Sequence, residues 1–318
     1  MNSVADGVRN EAAGTRYAVI FRTHFWDDFC DRQLRRLREQ VGTGDIFVLV
    51  DETRGHVAGI PTERVFRLTD QMVLDAGYPQ AGEGSIQWFS GDVPMYLFRA
   101  ANPDYVYYVQ LEYDVNVHVP LDDVIARVHA DRADVVTLEK RGTAPDWYWM
   151  PSVKGVYREE EVTHRLICLS IFSGTALDRL ATARQAQAVA YKRGDFPGWP
   201  FCEAYIPMEG AKLGLRMTEL SRYGDTGHYD WWPPYPERAL PALTGHAFVH
   251  PVLDQQRFLP SITKYPNVRA LVTPNSVFHQ RLRKMGTEAY LKLLVSGRFR
   301  ALLARAIREK WERGRAVS

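Results

Sequence analysis

Residues Tyr105–Val115, YVYYVQLEYDV, decide how the rest of the chain is read. The run has the aromatic and β-branched content of a buried strand, and it passes without a turn signal into two carboxylates, Glu112 and Asp114. Residues at i and i+2 face the same side of an extended strand. The two acids are therefore expected to converge beyond its carboxyl end, where open α/β sheets bind ligands. Carboxylates brought together repel unless one is protonated or a cation lies between them. Hard divalent ions, magnesium or manganese, suit such oxygen ligands and keep open positions for phosphate oxygens. Read more plainly, the pair is two strand-end charges or a helix cap near Pro120.

Working outward, Tyr17–Arg22 (YAVIFR) and Asp45–Val50 (DIFVLV) are short apolar runs, with helical spacing over Phe29–Gln40 between them. Arg64–Leu68 reads as a third strand, and VPMYLFRAA, ending at Ala101, as a helix entered through a proline. After the quoted strand, Leu121–Ala130 is a helix capped by Pro120 and Asp122, and Asp134–Leu138 and Ile167–Phe172 are further strands. A helix over Ala176–Tyr191 and another from about Ala204 to Leu213 flank the loop GDFPGWPFCEAYIP. Strands alternating with helices predict α/β architecture: a Rossmann-like mixed, mainly parallel sheet flanked by helices, with a basic helical extension at the C-terminal end. The expected organisation is a flexible segment 1–16, a main domain 17–275 and a basic helical segment 276–318.

Composition sets bounds on function. At 318 residues, 46% apolar and 25% charged, the chain can bury a large core. Three scattered cysteines without a CxxC indicate neither a disulfide framework nor a thiolate zinc site. With no secretory signal and no apolar run long enough to cross a bilayer, the expected location is the cytoplasm. Eleven Lys/Arg against three Asp/Glu between His279 and Arg315 make that end basic in a chain of net charge only +2. A basic tail on an acidic body can hold the inner face of an anionic membrane, or can be a solvated helix face. There is no G-x-G-x-x-G, no G-x-x-x-x-G-K-[ST] and no G-x-S-x-G, so dinucleotide redox chemistry, P-loop phosphoryl transfer and serine hydrolysis lack their anchors. No nucleic-acid-binding motif is present either.

The strand, polar turn, helix, strand ending in Asp51, and aromatic strand ending in Glu112-Tyr113-Asp114 together resemble the GT-A fold nucleotide-sugar glycosyltransferases, over roughly residues 17–252. That superfamily usually has D-x-D where this chain has E-x-D. The resemblance implies a metal-dependent enzyme, with manganese or magnesium as cofactor, moving a sugar from a nucleotide-diphosphate donor to a hydroxyl of a glycan or glycolipid of the cell-surface polysaccharide type. It implies that Asp114 holds the metal, with Glu112 as a further ligand or a contact to the ribose, and that His250 in HAFVHPV adds an imidazole suited to manganese. His246 precedes His250 by four residues, but the intervening residues and Pro251 argue for a strand. Asp51, Arg22 and Thr23 fall where the superfamily contacts its nucleotide. Glu203 falls where it places an acidic general base, which points to inversion. Simpler readings exist for each: a helix cap for Asp51, an ion pair for Arg22, a first-turn glutamate at a helix dipole for Glu203.

Trp231, Trp232 and Trp147 stand in irregular aromatic segments and can serve as acceptor walls, or can pack down over the sheet. The tail helix carries Phe299, Leu302, Leu303, Ala306 and Ile307 on one face and arginines on the other. Two other functions fit the same residues: a non-catalytic carbohydrate-binding or membrane-recruited assembly protein, or a nucleotidyltransferase, which would usually carry a glycine-rich basic loop that this chain lacks.

Overall fold

A computed structural model describes residues 15–79, 86–140, 147–243, 245–264 and 268–315. The segment expected to be flexible, 1–16, lies almost wholly outside the described residues. The chain forms two compact units, one of Met1–Tyr113 with Val117–Asp225, the other of Asp114–Asn116 with Thr226–Ser318.

The first unit is built on strands β1 (Tyr17–Thr23), β2 (Asp45–Asp51), β3 (Val65–Leu68), β4 (Tyr107–Glu112), β6 (Val135–Glu139), β7 (Arg165–Ser173) and β8 (Met217–Glu219). Their order is β3-β2-β1-β4-β7-β6-β8. All neighbours run parallel except β7, which is antiparallel to both β4 and β6. This is the mainly parallel mixed sheet, flanked by helices, that the pattern predicts. Every residue of β1 is buried, as a central strand covered on both faces requires.

Helices α1 (Asp28–Arg38), α2 (Asp70–Asp75), α3 (Ile86–Phe89), α4 (Val93–Ala101), α5 (Leu121–Ala130), α6 (Gly174–Arg193) and α7 (Cys202–Lys212) complete this unit. Asp27 caps α1 by accepting from the amides of Phe29 and Cys30, with acids in the first turn and three arginines in the last. One sheet face carries Ala18, Ile20, Leu49 and Tyr108 into a core with Leu177, Leu180, Tyr205 and Ile206 of α6 and α7. The helix over Leu121–Ala130 has the expected bounds, but Asp122 does not cap it. Its carboxylate turns to the α1–β2 loop and accepts from the amides of Gly42 at 2.7 Å and Thr43 at 2.9 Å. Gly44 follows because a Cβ there would meet the Tyr17 ring at 2.3 Å.

The strand quoted at the outset ends earlier than expected. The amide of Tyr113 still bonds the Arg22 carbonyl at 2.9 Å, but Tyr113 and Asp114 form a turn. The Tyr113 ring packs edge-on against His24, Phe25 and Phe29, and the Asp114 carbonyl accepts from Val252. Glu112 and Asp114 are thus not an i, i+2 pair on one extended strand; Asp114 belongs to the second unit.

In that unit, Asn116 opens β5 (Asn116–Val117), in a sheet of order β5-β11-β9 with β9 (His228–Tyr229) and β11 (Phe248–His250). Strands β10 (Tyr235–Pro236) and β12 (Val252–Leu253) pair separately. Helices α8 (Gln255–Ile262), α9 (Val268–Val272), α10 (Val277–Lys284), α11 (Thr287–Val295) and α12 (Gly297–Arg315) follow. They enclose Phe258, Ile262, Leu271, Leu282, Met285, Leu293 and Phe299. The apolar face expected of the tail is divided: Phe299 and Leu302 join this core, whereas Leu303 and Ile307 are exposed, and the side chain of Ala306 lies outside the described residues. Among the described residues no helix is long and apolar enough to cross a membrane.

Candidate functional site

In the first unit, polar residues form a row at the carboxyl ends of the central strands. Arg22 on β1 is in register with Glu112 on β4. Leu111 pairs with Leu169 across the antiparallel β4–β7 ladder, which sets Glu112 opposite Cys168. The Glu112 carboxylate and the Cys168 thiol lie within 4.8 Å of one another. Arg22 is almost fully buried and donates from Nη1 to Gln110 Oε1 at 2.9 Å, while Gln110 donates to the Ile167 carbonyl. The guanidinium is thereby fixed at the floor of the row. Thr23 donates to the Phe25 carbonyl at 2.7 Å and shapes the turn after β1. Asp51, buried at the end of β2, accepts from the Thr53 amide and hydroxyl at 2.9 and 2.6 Å, so it caps a tight turn and not a helix.

Glu203 is brought to this unit by the loop between α6 and α7. Gly198 lets the loop press onto residues 152–154, since a Cβ there would meet the carbonyls of Ser152 and Lys154 at 2.5 and 2.6 Å. The Phe201 amide donates to the Ser152 hydroxyl at 3.0 Å. Glu203 then falls in the first turn of α7, as the simpler reading also has it. Although the residue as a whole is half-buried, its carboxyl is deep in the protein. Burial, and then the negative charge of Glu112, push it up to about 8, with Lys140 pulling the other way. At neutral pH in the absence of a cation, Glu203 is mainly a neutral acid. Next to it, burial followed by the charges of Asp92 and Glu203 raises the Cys202 thiol, which therefore lacks the thiolate character of a nucleophile.

Aromatic rings gather beside Glu203. Trp149 stacks on Phe201 at 4.5 Å, Trp88 meets Trp149 edge-on at 4.9 Å, and Trp147 stacks on His164 at 4.8 Å. Trp147 is half-buried in this packing, while Trp88 is 56% exposed. Sequence reading passed over Trp88, Gln110, Lys140 and Cys168. The thiol could have been found only from the β4–β7 register, which an apolar run does not encode.

In the second unit, Asp114 and His250 face one another, with His250 Nε2 3.6 Å from Asp114 Oδ1. His250 Nδ1 lies 2.6 Å from the Asp230 carbonyl. A carbonyl only accepts, so Nδ1 carries a proton, and in the neutral imidazole Nε2 presents a lone pair to the carboxylate. Asp114 Oδ1 is buried and has no hydrogen-bond partner among the described residues. Burial pushes the Asp114 carboxyl up to about 7. Two acceptors facing across a short gap need a proton or a cation between them, and a carbonyl-oriented imidazole beside a carboxylate is a set that manganese accepts. The residues present fit a divalent ion. Trp231, 55% exposed, stacks on Trp232 at 5.8 Å, and Trp232 packs on Phe278.

No family model matches the chain, and no curated protein matches it. Among solved structures, the apo form of mouse xyloside xylosyltransferase 1 is similar to it with a TM-score of 0.41 at 12% identity, over 74% of this chain and 97% of that one.

Proposed function

We propose that the chain is a GT-A-type glycosyltransferase that moves a sugar from a nucleotide-diphosphate donor to a hydroxyl of a glycan or glycolipid. The observation that carries this reading is the polar row at the carboxyl ends of the parallel strands, Arg22 beside Glu112, with Glu203 close enough for the charge of Glu112 to raise its pKa. Ligands of open α/β sheets bind at such strand ends. Asp51, Arg22 and Thr23 would orient the nucleotide. Asp114 and His250 would hold manganese or magnesium, which when bound offsets charge developing on a leaving diphosphate.

Glu203 is the proposed base for an inverting transfer. It can take the acceptor proton only when ionised, and a cation that offsets Glu112 would bring its pKa down toward the working range. In the first unit the exposed indole of Trp88, which meets Trp149 close in sequence to half-buried Trp147, and in the second unit the exposed indole of Trp231, stacked on Trp232, offer flat faces for the C–H surfaces of sugars. Cytoplasmic location and attachment of the basic tail to an anionic membrane belong to the same proposal.

The test is release of free nucleoside diphosphate from a panel of nucleotide sugars, with and without manganese. Steady manganese-dependent release that Asp114→Asn abolishes supports the reading. Sugar binding with no turnover of any donor would instead assign a non-catalytic carbohydrate-binding protein.

A further inference from the structure

The second unit buries a cation that has no internal counter-charge. Arg281, on α10, is 8% exposed, and its Nη1 has no hydrogen-bond partner among the described residues. Its Nη2 lies 3.0 Å from His228 Nδ1, and its guanidinium lies over the Tyr235 ring at 4.3 Å. Lys284, one turn further along α10, donates to the Tyr235 hydroxyl at 2.9 Å and sits over the same ring at 4.8 Å. His246 packs against His228 with ring centroids 4.3 Å apart. No carboxylate makes an ion pair with Arg281 or Lys284 among the described residues.

A cation–π contact recovers part of the lost hydration of a guanidinium, and the last turn of a helix favours positive charge. Neither satisfies the in-plane N–H groups of Nη1, which require an acceptor, and a buried charged donor left without one is costly. An arginine fork, a lysine ammonium and imidazoles in one place are donors suited to the oxygens of a phosphate group. Lys284 is exposed and both histidines are half-buried, so the cluster opens to the surface.

The cluster is separate from the Asp114–His250 pair. In the β9–β11 ladder Val249 lies opposite His228 and His250 opposite Tyr229. Successive strand residues point to opposite faces, so the imidazole that meets Arg281 and the one that meets Asp114 lie on different sides of the small sheet.

We propose that Arg281, Lys284, His228 and His246 form a binding site for a phosphate group, distinct from the candidate metal site. Within the glycosyltransferase reading it takes a phosphate carried by the acceptor, not the diphosphate of the donor. The site itself stands whether or not that reading holds.

The probe is inorganic phosphate, titrated into the full chain against chloride at matched ionic strength and followed by calorimetry and thermal unfolding. Saturable binding and a rising Tm are expected for the wild-type chain. Arg281→Met should weaken phosphate binding about tenfold or more. It should also melt higher than wild type in chloride, because an uncompensated charge has been removed. Should that variant fail to fold, Arg281→Lys, which keeps the charge but loses the fork, should show the weaker binding. The proposal is overturned if phosphate acts no differently from chloride, or if the Arg281 variant that folds binds it as tightly as wild type. A second arm separates the two sources of phosphate: binding should persist in EDTA and in Asp114→Asn. A requirement for manganese, or loss in Asp114→Asn, would mean that the phosphate belongs to the donor site.

Discussion

Each unit is organised around a buried arginine, and the two are solvated in opposite ways. In the first unit, Arg184 of α6 is fully buried between the faces of Trp199 and Tyr205, 3.8 and 4.0 Å from the ring centroids. Its Nε ion-pairs with Asp92 at 2.9 Å, one Nη donates to Gln187 and the other to the Pro200 carbonyl. Both faces and both terminal nitrogens of the guanidinium are occupied from within, and the Asp92 carboxylate beside Nε balances its charge without hydrogen-bonding it. In the second unit, Arg281 has an aromatic face and an imidazole but no acid. The comparison separates a cation used as a structural rivet from one poised for a ligand: the first is closed by its own fold, the second is completed by something added.

Breaking the rivet should have the largest effect. Arg184→Met removes the partner of Asp92, which is 2% exposed and would be left without a counter-charge beside Tyr78 and Tyr96. Breaking a buried pair from one side costs about 3–5 kcal/mol. Urea denaturation of Arg184→Met should show a loss of that size, and Asp92→Asn in the same background should restore part of it. A loss below about 1 kcal/mol would remove the distinction between the two arginines.

Glu203 extends the comparison to a carboxyl that no internal cation fully compensates. Its pKa rises from 4.5 to about 8 on folding. The folded chain therefore keeps a proton that the unfolded chain releases, so stability falls as pH rises from about 4.5 to about 8 and levels off above. Glu203→Gln removes that dependence. In EDTA, the variant should match wild type near pH 4.5 and exceed it on the order of 2–4 kcal/mol near pH 8. A difference independent of pH would mean that the carboxyl is ionised throughout.

Much of this was legible in the sequence, and the omissions have a common cause. Tyr17–Arg22, Asp45–Val50 and Leu121–Ala130 fall close to their observed elements because each carries its own apolar pattern and is bounded by polar or turn-forming residues. The three-residue strand Met217–Glu219 was missed because so short a run has no period. That β7 runs against β4 was also hidden, since apolar residues mark a buried strand but not its direction, and with that direction went the pairing of Glu112 with Cys168. Tyr105–Val115 looked continuous because Tyr113 is an excellent strand residue; it instead packs against His24, Phe25 and Phe29, and the chain turns there. Asp92 and Arg184 lie 92 residues apart along the chain, a pairing that no local pattern announces. By contrast, the helix start that carries Glu203 was legible because a proline- and aromatic-rich loop before a helix is itself a local signal.

The smallest expected effect belongs to Asp122, a carboxylate satisfied from within as Arg184 is, but near the surface. Burial alone would raise its pKa; hydrogen bonds from the Thr43 hydroxyl and the amides of Gly42 and Thr43 outweigh that and hold it below the ordinary value. A carboxyl held low contributes stability above its unfolded pKa of about 3.9, and loses that contribution as pH falls through the lower folded value. Asp122→Asn should therefore cost about 1 kcal/mol at pH 7, a figure kept small by partial exposure. The deficit should shrink toward zero as the pH is lowered below the unfolded value, the reverse of the trend for Glu203→Gln. If it instead stayed constant to low pH, Asp122 would be holding the α1–β2 loop by shape alone, and internal compensation of charge would be confined to the deeply buried Arg184.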